Sequence, residues 1–197
     1  MTVYFTSDLH IGHEKVADVR MQSLEAHDDL VAVALCQGIT KRDQVWILGD
    51  ISAGGRRAEE NALEFIARAK SYTRAEYHLI PGNHDSCHPQ FDRGYRRLPR
   101  FLEVFDSVQP FTWRKIAGHR VLLSHYPYSA DHTAEPRHMQ WRLPDMGKWL
   151  LHGHTHQQVA TVGTREICVG LDAWDYWPVT LEQIADLIST AAYPKAV

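Results

Sequence analysis

An apolar, strand-like run, Tyr77-His78-Leu79-Ile80, stops at Pro81-Gly82 and is followed at once by an amide, an imidazole and a carboxylate: Asn83, His84 and Asp85. Asn and Asp after Pro-Gly are ordinary turn formers, because their short side chains bond nearby backbone. Taken alone, the segment is a turn. Its company argues for more. Asp8-Leu9-His10 and Gly49-Asp50 close two earlier hydrophobic runs, and Ser124-His125-Tyr126-Pro127 and Gly153-His154-Thr155-His156 close two later ones. Polar side chains at the ends of buried strands are costly unless they hold something. Every one of these ends carries metal-ligand residue types.

The remaining pattern supplies the frame. Residues 2–6 read as a buried first strand, rich in β-branched and aromatic residues. Residues 14–37 are helical, in two pieces, with Leu24, Leu30, Val31, Ala34 and Leu35 as the apolar stripe and His27, Asp28 and Asp29 on a solvated face. A second strand, 44–48, delivers Gly49-Asp50, whose carboxylate has two oxygens and suits a bridge between two cations. Arg56 and Arg57 are surface arginines opening a helix over 58–69. Residues 87–99 read as an irregular surface segment with a short helix, its Arg93, Arg96 and Arg97 in solvent.

Residues 107–115 and 119–124 read as an antiparallel pair around Ala117-Gly118. The connection from 126 to 145 has little periodicity and holds His132, Arg137, His138 and Trp141; loops this long are commonly functional, and it is read as a substrate wall or lid. Residues 149–152 form another strand, with His152 a packed strand residue. Residues 160–162 and 166–169 read as a closing hairpin around Gly163. Thr180-Leu181-Glu182-Gln183 is a capping box that starts the last helix. Asp172-Ala173-Trp174, between them, has a structural or supporting role.

Length and charge narrow the possibilities. A chain of 197 residues suits a single domain over 1–197. With 21 basic and 24 acidic residues its net charge is −3, so no global basic field exists to hold long nucleic acid, and a small phosphate ester fits better. No apolar stretch approaches the roughly 20 residues of a membrane span, and the N-terminal run Val3-Tyr4-Phe5 meets Asp8 too soon for a signal peptide. Three widely spaced cysteines, Cys36, Cys87 and Cys168, fit a reducing compartment. A cytoplasmic protein without membrane association is expected.

In this order the blocks D-x-H, G-D, G-N-H-D, a lone strand-end His and G-H-x-H resemble the calcineurin-like metallophosphoesterases, over roughly Thr2 to Leu181. Ser7-Asp8-Leu9-His10-Ile11-Gly12-His13 and Val169-Gly170-Leu171-Asp172-Ala173-Trp174-Asp175 look like a compact bacterial and mycobacteriophage-encoded subfamily. The resemblance implies an α/β fold, a four-layer α-β-β-α sandwich of two mixed β-sheets flanked by helices. It also implies that Asp8, His10, Asp50 and His156 hold one metal and Asp50, Asn83, His125 and His154 a second. Nitrogen and oxygen ligands without a thiolate favour Mn²⁺, Fe or Zn²⁺ over calcium or magnesium.

On the same resemblance a metal-bridging hydroxide attacks phosphorus in line, and His84 protonates the leaving alkoxide while Asp85 orients its ring. His13 and Arg137 are candidate substrate contacts, His13 being equally placed to enter a helix. The small size favours a phosphodiesterase acting on small nucleotides, with 2′,3′-cyclic nucleotides foremost because their strained ring exposes phosphorus. A phosphomonoesterase or phosphoprotein phosphatase with the same residues is the alternative, and a non-catalytic scaffold stands behind both.

Overall fold

The computed structural model describes residues 1–192 apart from 132, 134, 136 and 162–164. Two sheets carry the frame. The first has the order β4-β3-β2-β1-β9, in which β1 (Val3–Thr6), β2 (Gln44–Ile47), β3 (Glu76–Leu79) and β4 (Ser107–Val108) are parallel and β9 (Val179–Thr180) is antiparallel. The second has the order β5-β6-β7-β8: β5 (Thr112–Ile116) runs antiparallel to β6 (His119–Leu123), which is followed in parallel by β7 (Leu150–His152) and β8 (Glu166–Cys168). Both sheets are therefore mixed, as expected.

Alternation of side chains along a strand explains the layers. On β2, Val45 and Ile47 face one way and pack with Tyr77 and Leu79 of β3 against α2 (Leu24–Cys36) and α3 (Arg56–Thr73), through Val31, Leu35, Leu63 and Ile66. The intervening Trp46, with Val3, Phe5, Leu48 and Ile80, faces the second sheet and meets Ile116, Val121, Leu123, Leu151 and Ile167. Strands buried on both faces read as continuous apolar runs, which is why the sequence showed them clearly. The last helix, α5 (Leu181–Ala192), adds Ile184 and Ile188 to this inner core. Its capping box is present: Thr180 N–H donates to Gln183 Oε1 at 2.9 Å and Gln183 N–H to Thr180 Oγ1 at 3.2 Å.

Several expectations need correction. The segment 107–115 is not one strand: β4 adds to the first sheet and β5 to the second, with Pro110 in the break. Proline cannot donate to a ladder, so the chain changes sheets there. Helix α3 is longer than 58–69, and the short helix read within 87–99 is present as α4 (Gly94–Leu102), which runs on past Pro99. Arg97 is not a solvated loop residue; its guanidinium bonds Glu59 and Glu60 on α3 at 2.6 and 2.7 Å.

Val31, Ala34 and Leu35 face inward as expected, but Leu30 is exposed and His27, expected on the solvated face, is fully buried. His27, Val31, Ala34 and Leu35 lie at i, i+4, i+7 and i+8, one stripe of a helix. His152 is a buried strand residue, as read. Of the closing hairpin, an antiparallel bridge joins Thr161 to Ile167; its turn at Gly163 and Val162 lies outside the described residues, as does His132.

Candidate metal centre

The carboxyl ends of β1, β2 and β3 meet those of β6 and β7, and every strand-end motif arrives at one place. Backbone bonds lock the arrival: Asp8 N–H donates to Gly49 O, His10 N–H to Asp50 O and Gly153 N–H to His125 O, each at 3.0 Å. The approach is so close that a Cβ on Gly49 would lie 2.5 Å from Gly82 N and 2.6 Å from His125 Nδ1, and Gly49 has a φ of +92° besides. Only glycine fits. Asp8, His10, Asp50, His154 and His156 all have positive φ, between 47° and 69°. Such strain gathers where surrounding structure forces side chains towards a ligand.

Two donor groups result. Asp8, His10 and His156 bring one ligand atom each within 4.8 Å of one another, and Asp50, His125 and His154 do the same. His10 Nε2 lies 3.2 Å from His156 Nε2. Asn83 Oδ1 lies 2.9 Å from His154 Nδ1 and 3.2 Å from His125 Nε2. Asp50 Oδ2 stands between the groups, 3.9 Å from His10 Nε2 and 3.5 Å from His125 Nε2. Ligand atoms held at about 2.0–2.2 Å from one ion are themselves about 3–3.5 Å apart, so these separations fit shared cations.

The outer ring nitrogens are held as well. His10 Nδ1 lies 3.2 Å from Ser52 O and His125 Nδ1 2.7 Å from Leu48 O. His154 Nε2 faces Asp131 Oδ1 at 3.3 Å, and His156 Nδ1 faces Asp172 Oδ2 at 3.1 Å. Such outer partners fix the tautomer that leaves the inner nitrogen free to bind a metal.

Electrostatics point the same way. Asp8, Asp50 and Asp85 are all buried. Burial first, and then the Asp8 carboxylate, push Asp50 upward; burial and Asp50 do the same to Asp85. Burial pushes His10 and His125 below the usual imidazole range, which favours the neutral ring, the form able to bind a metal. Clustered carboxylates beside neutral imidazoles call for positive charge.

Asp85 does not orient His84, which corrects the expected pairing. Its Oδ2 accepts from Asp50 N–H at 2.9 Å and Gly82 N–H at 2.7 Å, and its Oδ1 from Ile51 N–H at 3.1 Å. It is a backbone organiser. His84 instead sets Nδ1 3.1 Å from Ala53 O, and its own N–H donates to Asp50 Oδ1 at 2.8 Å.

A cleft of about 380 Å³ opens over the centre, bordered by His13, Lys15, His84 and Arg137. Of the two roles considered for His13, the helix entry is seen: its Nδ1 caps α1 (Glu14–Val19) by accepting Val16 N–H at 3.3 Å, while its ring stands edge-on to His10 at the border of the cleft. Arg137 borders the cleft while bonding Asp131 at 3.2 Å. Arg142, buried with its side chain 2% exposed, bonds Asp131 at 2.9 Å. Although burial raises Asp131, bonds from Arg137 and His154 hold it well below the usual carboxylate range. Asp131, Arg142 and the carbonyls of Ser52 and Leu48 were not found from sequence, because nothing in their spacing sets them apart.

The description "Calcineurin-like phosphoesterase" matches residues 1–158. This chain belongs to the calcineurin-like phosphoesterase family. It is 42% identical to the Gene 66 protein of Mycobacterium phage D29 over 95% of this chain and 96% of that protein. It is 40% identical to the Gene 66 protein of Mycobacterium phage L5, over 94% and 93%. Among solved structures, the Aquifex aeolicus protein AQ665, itself of unknown function, superposes with a TM-score of 0.70 at 22% identity, covering 95% of this chain and 99% of that one. That likeness supports the two-sheet fold. The strand-end residues of this phosphoesterase thus form two His/Asp groups fit for a binuclear metal centre, and among the described residues no helix is long and apolar enough to cross a membrane.

Proposed function

We propose that this phosphoesterase hydrolyses small phosphodiesters, 2′,3′-cyclic nucleotides foremost, opening the ring to a monophosphate. The observation that carries the reading is Asp50, whose carboxylate lies between two complete donor groups beneath a cleft of mononucleotide size. Asp8, His10 and His156 would hold one divalent cation and Asn83, His125 and His154 the other, with Asp50 offered to both; the donor set suits Mn²⁺, Fe or Zn²⁺. When bound, such a pair neutralises the phosphate and supplies hydroxide near neutral pH.

The protein's own groups do the rest. His84 donates Nδ1–H to Ala53 O, which turns Nε2 towards the cleft; as the imidazolium it gives its Nε2 proton to the leaving oxygen and is left as the neutral Nδ1–H ring. His13 lies across the cleft from it, their ring centroids 6.5 Å apart, and Arg137 and Lys15 offer positive charge to the substrate. A net charge of −3 argues against stable binding of long nucleic acid. Free cysteines, two of them buried, suit a cytoplasmic setting.

The reading is tested by reloading metal-stripped protein with Mn²⁺ and following phosphate-ester opening of 2′,3′-cyclic AMP, beside a nitrophenyl monoester and an Asp50→Ala control. Cyclic-ester turnover that vanishes in the control supports it. Good monoester turnover without the cyclic ester moves the function to a phosphatase, and inactivity on both revives the scaffold.

A further inference from the structure

Of the four imidazoles in the two donor groups, three are sealed by packing. The side chains of His10, His125 and His154 are 3%, 1% and 1% exposed, whereas that of His156 is 26% exposed. His156 also sits on a positive-φ residue at the rim of the G-H-x-H turn. Beyond its stacking on the His10 ring, centroids 5.0 Å apart, packing constrains it less than the other three.

Asp172, in the short 3-10 helix Leu171–Ala173, reaches His156 Nδ1 with Oδ2 at 3.1 Å and leaves His156 Nε2 turned towards Asp8 and His10. The same carboxylate is gripped from behind. Arg20, just past the end of α1, donates from Nε to Oδ1 at 2.9 Å and from Nη2 to Oδ2 at 2.7 Å, a fork-to-fork pair with side chains only 4% and 5% exposed. Arg20 Nη2 also donates to Asp8 O at 2.9 Å. One guanidinium therefore fixes both the backbone of one ligand and the carboxylate behind another.

The grip continues inward. Arg20 Nη1 lies 2.9 Å from His27 Nε2. Arginine only donates, so Nε2 accepts and the ring proton is on Nδ1. That proton faces Asp28 Oδ1 at 2.9 Å, and Asp28 in turn accepts Gly12 N–H at 3.1 Å. Each of these contacts pairs a donor with an acceptor, and the Arg20 cation stands between the carboxylate of Asp172 and the neutral His27 ring that Asp28 holds.

We propose that Asp172, clamped by Arg20, is the positioning residue for His156, acting on the affinity of the site formed by Asp8, His10 and His156 and leaving its neighbour untouched. The inference rests on the two-cation reading given above. An arginine–aspartate pair that only tied α1 to the neighbouring turn would need no third partner on the same oxygen. Asp172 Oδ2 has one, and it is a ligand.

The test is a Mn²⁺ titration of metal-free protein, read by the electron paramagnetic resonance of free ion, across a double-mutant cycle of Asp172→Asn and His156→Ala. Loss of a partner behind a metal-binding histidine typically weakens affinity by about 10–100-fold. Asp172→Asn is expected to weaken one of the two sites by that factor, and to have no further effect once His156 is alanine. Arg20→Lys, which keeps the charge but not the fork, is expected to weaken the same single site and serves if Asp172→Asn does not fold. Unchanged affinities in these variants, or equal losses with and without His156, overturn the proposal. Wild-type protein that binds no Mn²⁺ overturns the two-cation reading itself, and the proposal with it.

Discussion

Asp85 and Asp50 are joined through the main chain: the Asp85 carboxylate accepts the Asp50 backbone N–H at 2.9 Å and so sets the turn from which the Asp50 side chain projects. With Ile51 and Gly82 also donating to it, Asp85 ties the end of β2 to the turn after β3.

Replacing Asp85 by Asn leaves a buried N–H facing an amide N–H₂. The remaining oxygen still serves Asp50 and Gly82 N–H, so one buried donor, Ile51 N–H, loses its acceptor, and a loss of about 1–3 kcal/mol is expected. Denaturant unfolding of the metal-free variant measures it. Full stability with reduced turnover would instead return Asp85 to the role of aligning His84.

His84 makes the opposite prediction. Its ring accepts no backbone donor and borders the cleft, so His84→Ala should retain metal content and fold while turnover drops about 10²–10⁴-fold, the usual contribution of a general acid. Metal analysis beside single-turnover kinetics checks this. Loss of bound metal in the variant would remove the acid role.

How far the sequence revealed this centre depends on what its signals were made of. Strands buried on both faces and donors at their ends are local patterns, and Asp8, His10, Asp50, Asn83, His125, His154 and His156 all arrive where expected. Asp85 was misassigned because a carboxylate next to a histidine in sequence points elsewhere in space. His27 was legible from its spacing to Val31, Ala34 and Leu35, but polarity was given more weight than period. Arg20, Asp131 and Arg142 were out of reach. Their partners lie far away in sequence or in an aperiodic loop, and only the closed fold pairs them.

The pH dependence of stability carries a further test at His88, which belongs to neither donor group although it faces His125. Burial, aided by the facing His125 and His138, pushes its ring down to about 4, and its Nδ1 accepts Gln90 N–H at 3.0 Å. Below the ordinary imidazole value of about 6.5 the unfolded chain takes up a proton that the folded ring refuses. Stability is therefore present above that value and is lost as pH falls towards 4. His88→Gln should flatten the decline over this window relative to wild type, as followed by urea midpoints of metal-free protein. His152, also pushed down by burial to about 4, contributes equally to both proteins. Parallel curves would show that His88 titrates normally.

The central claim is that Asp50 lies between two cations. Its most direct test is an anomalous difference map from crystals grown with Mn²⁺ at neutral pH. Two peaks about 3.5–4 Å apart are expected, one against Asp8, His10 and His156 and one against Asn83, His125 and His154, with the Asp50 carboxylate between them. A single peak, or none, would contradict it.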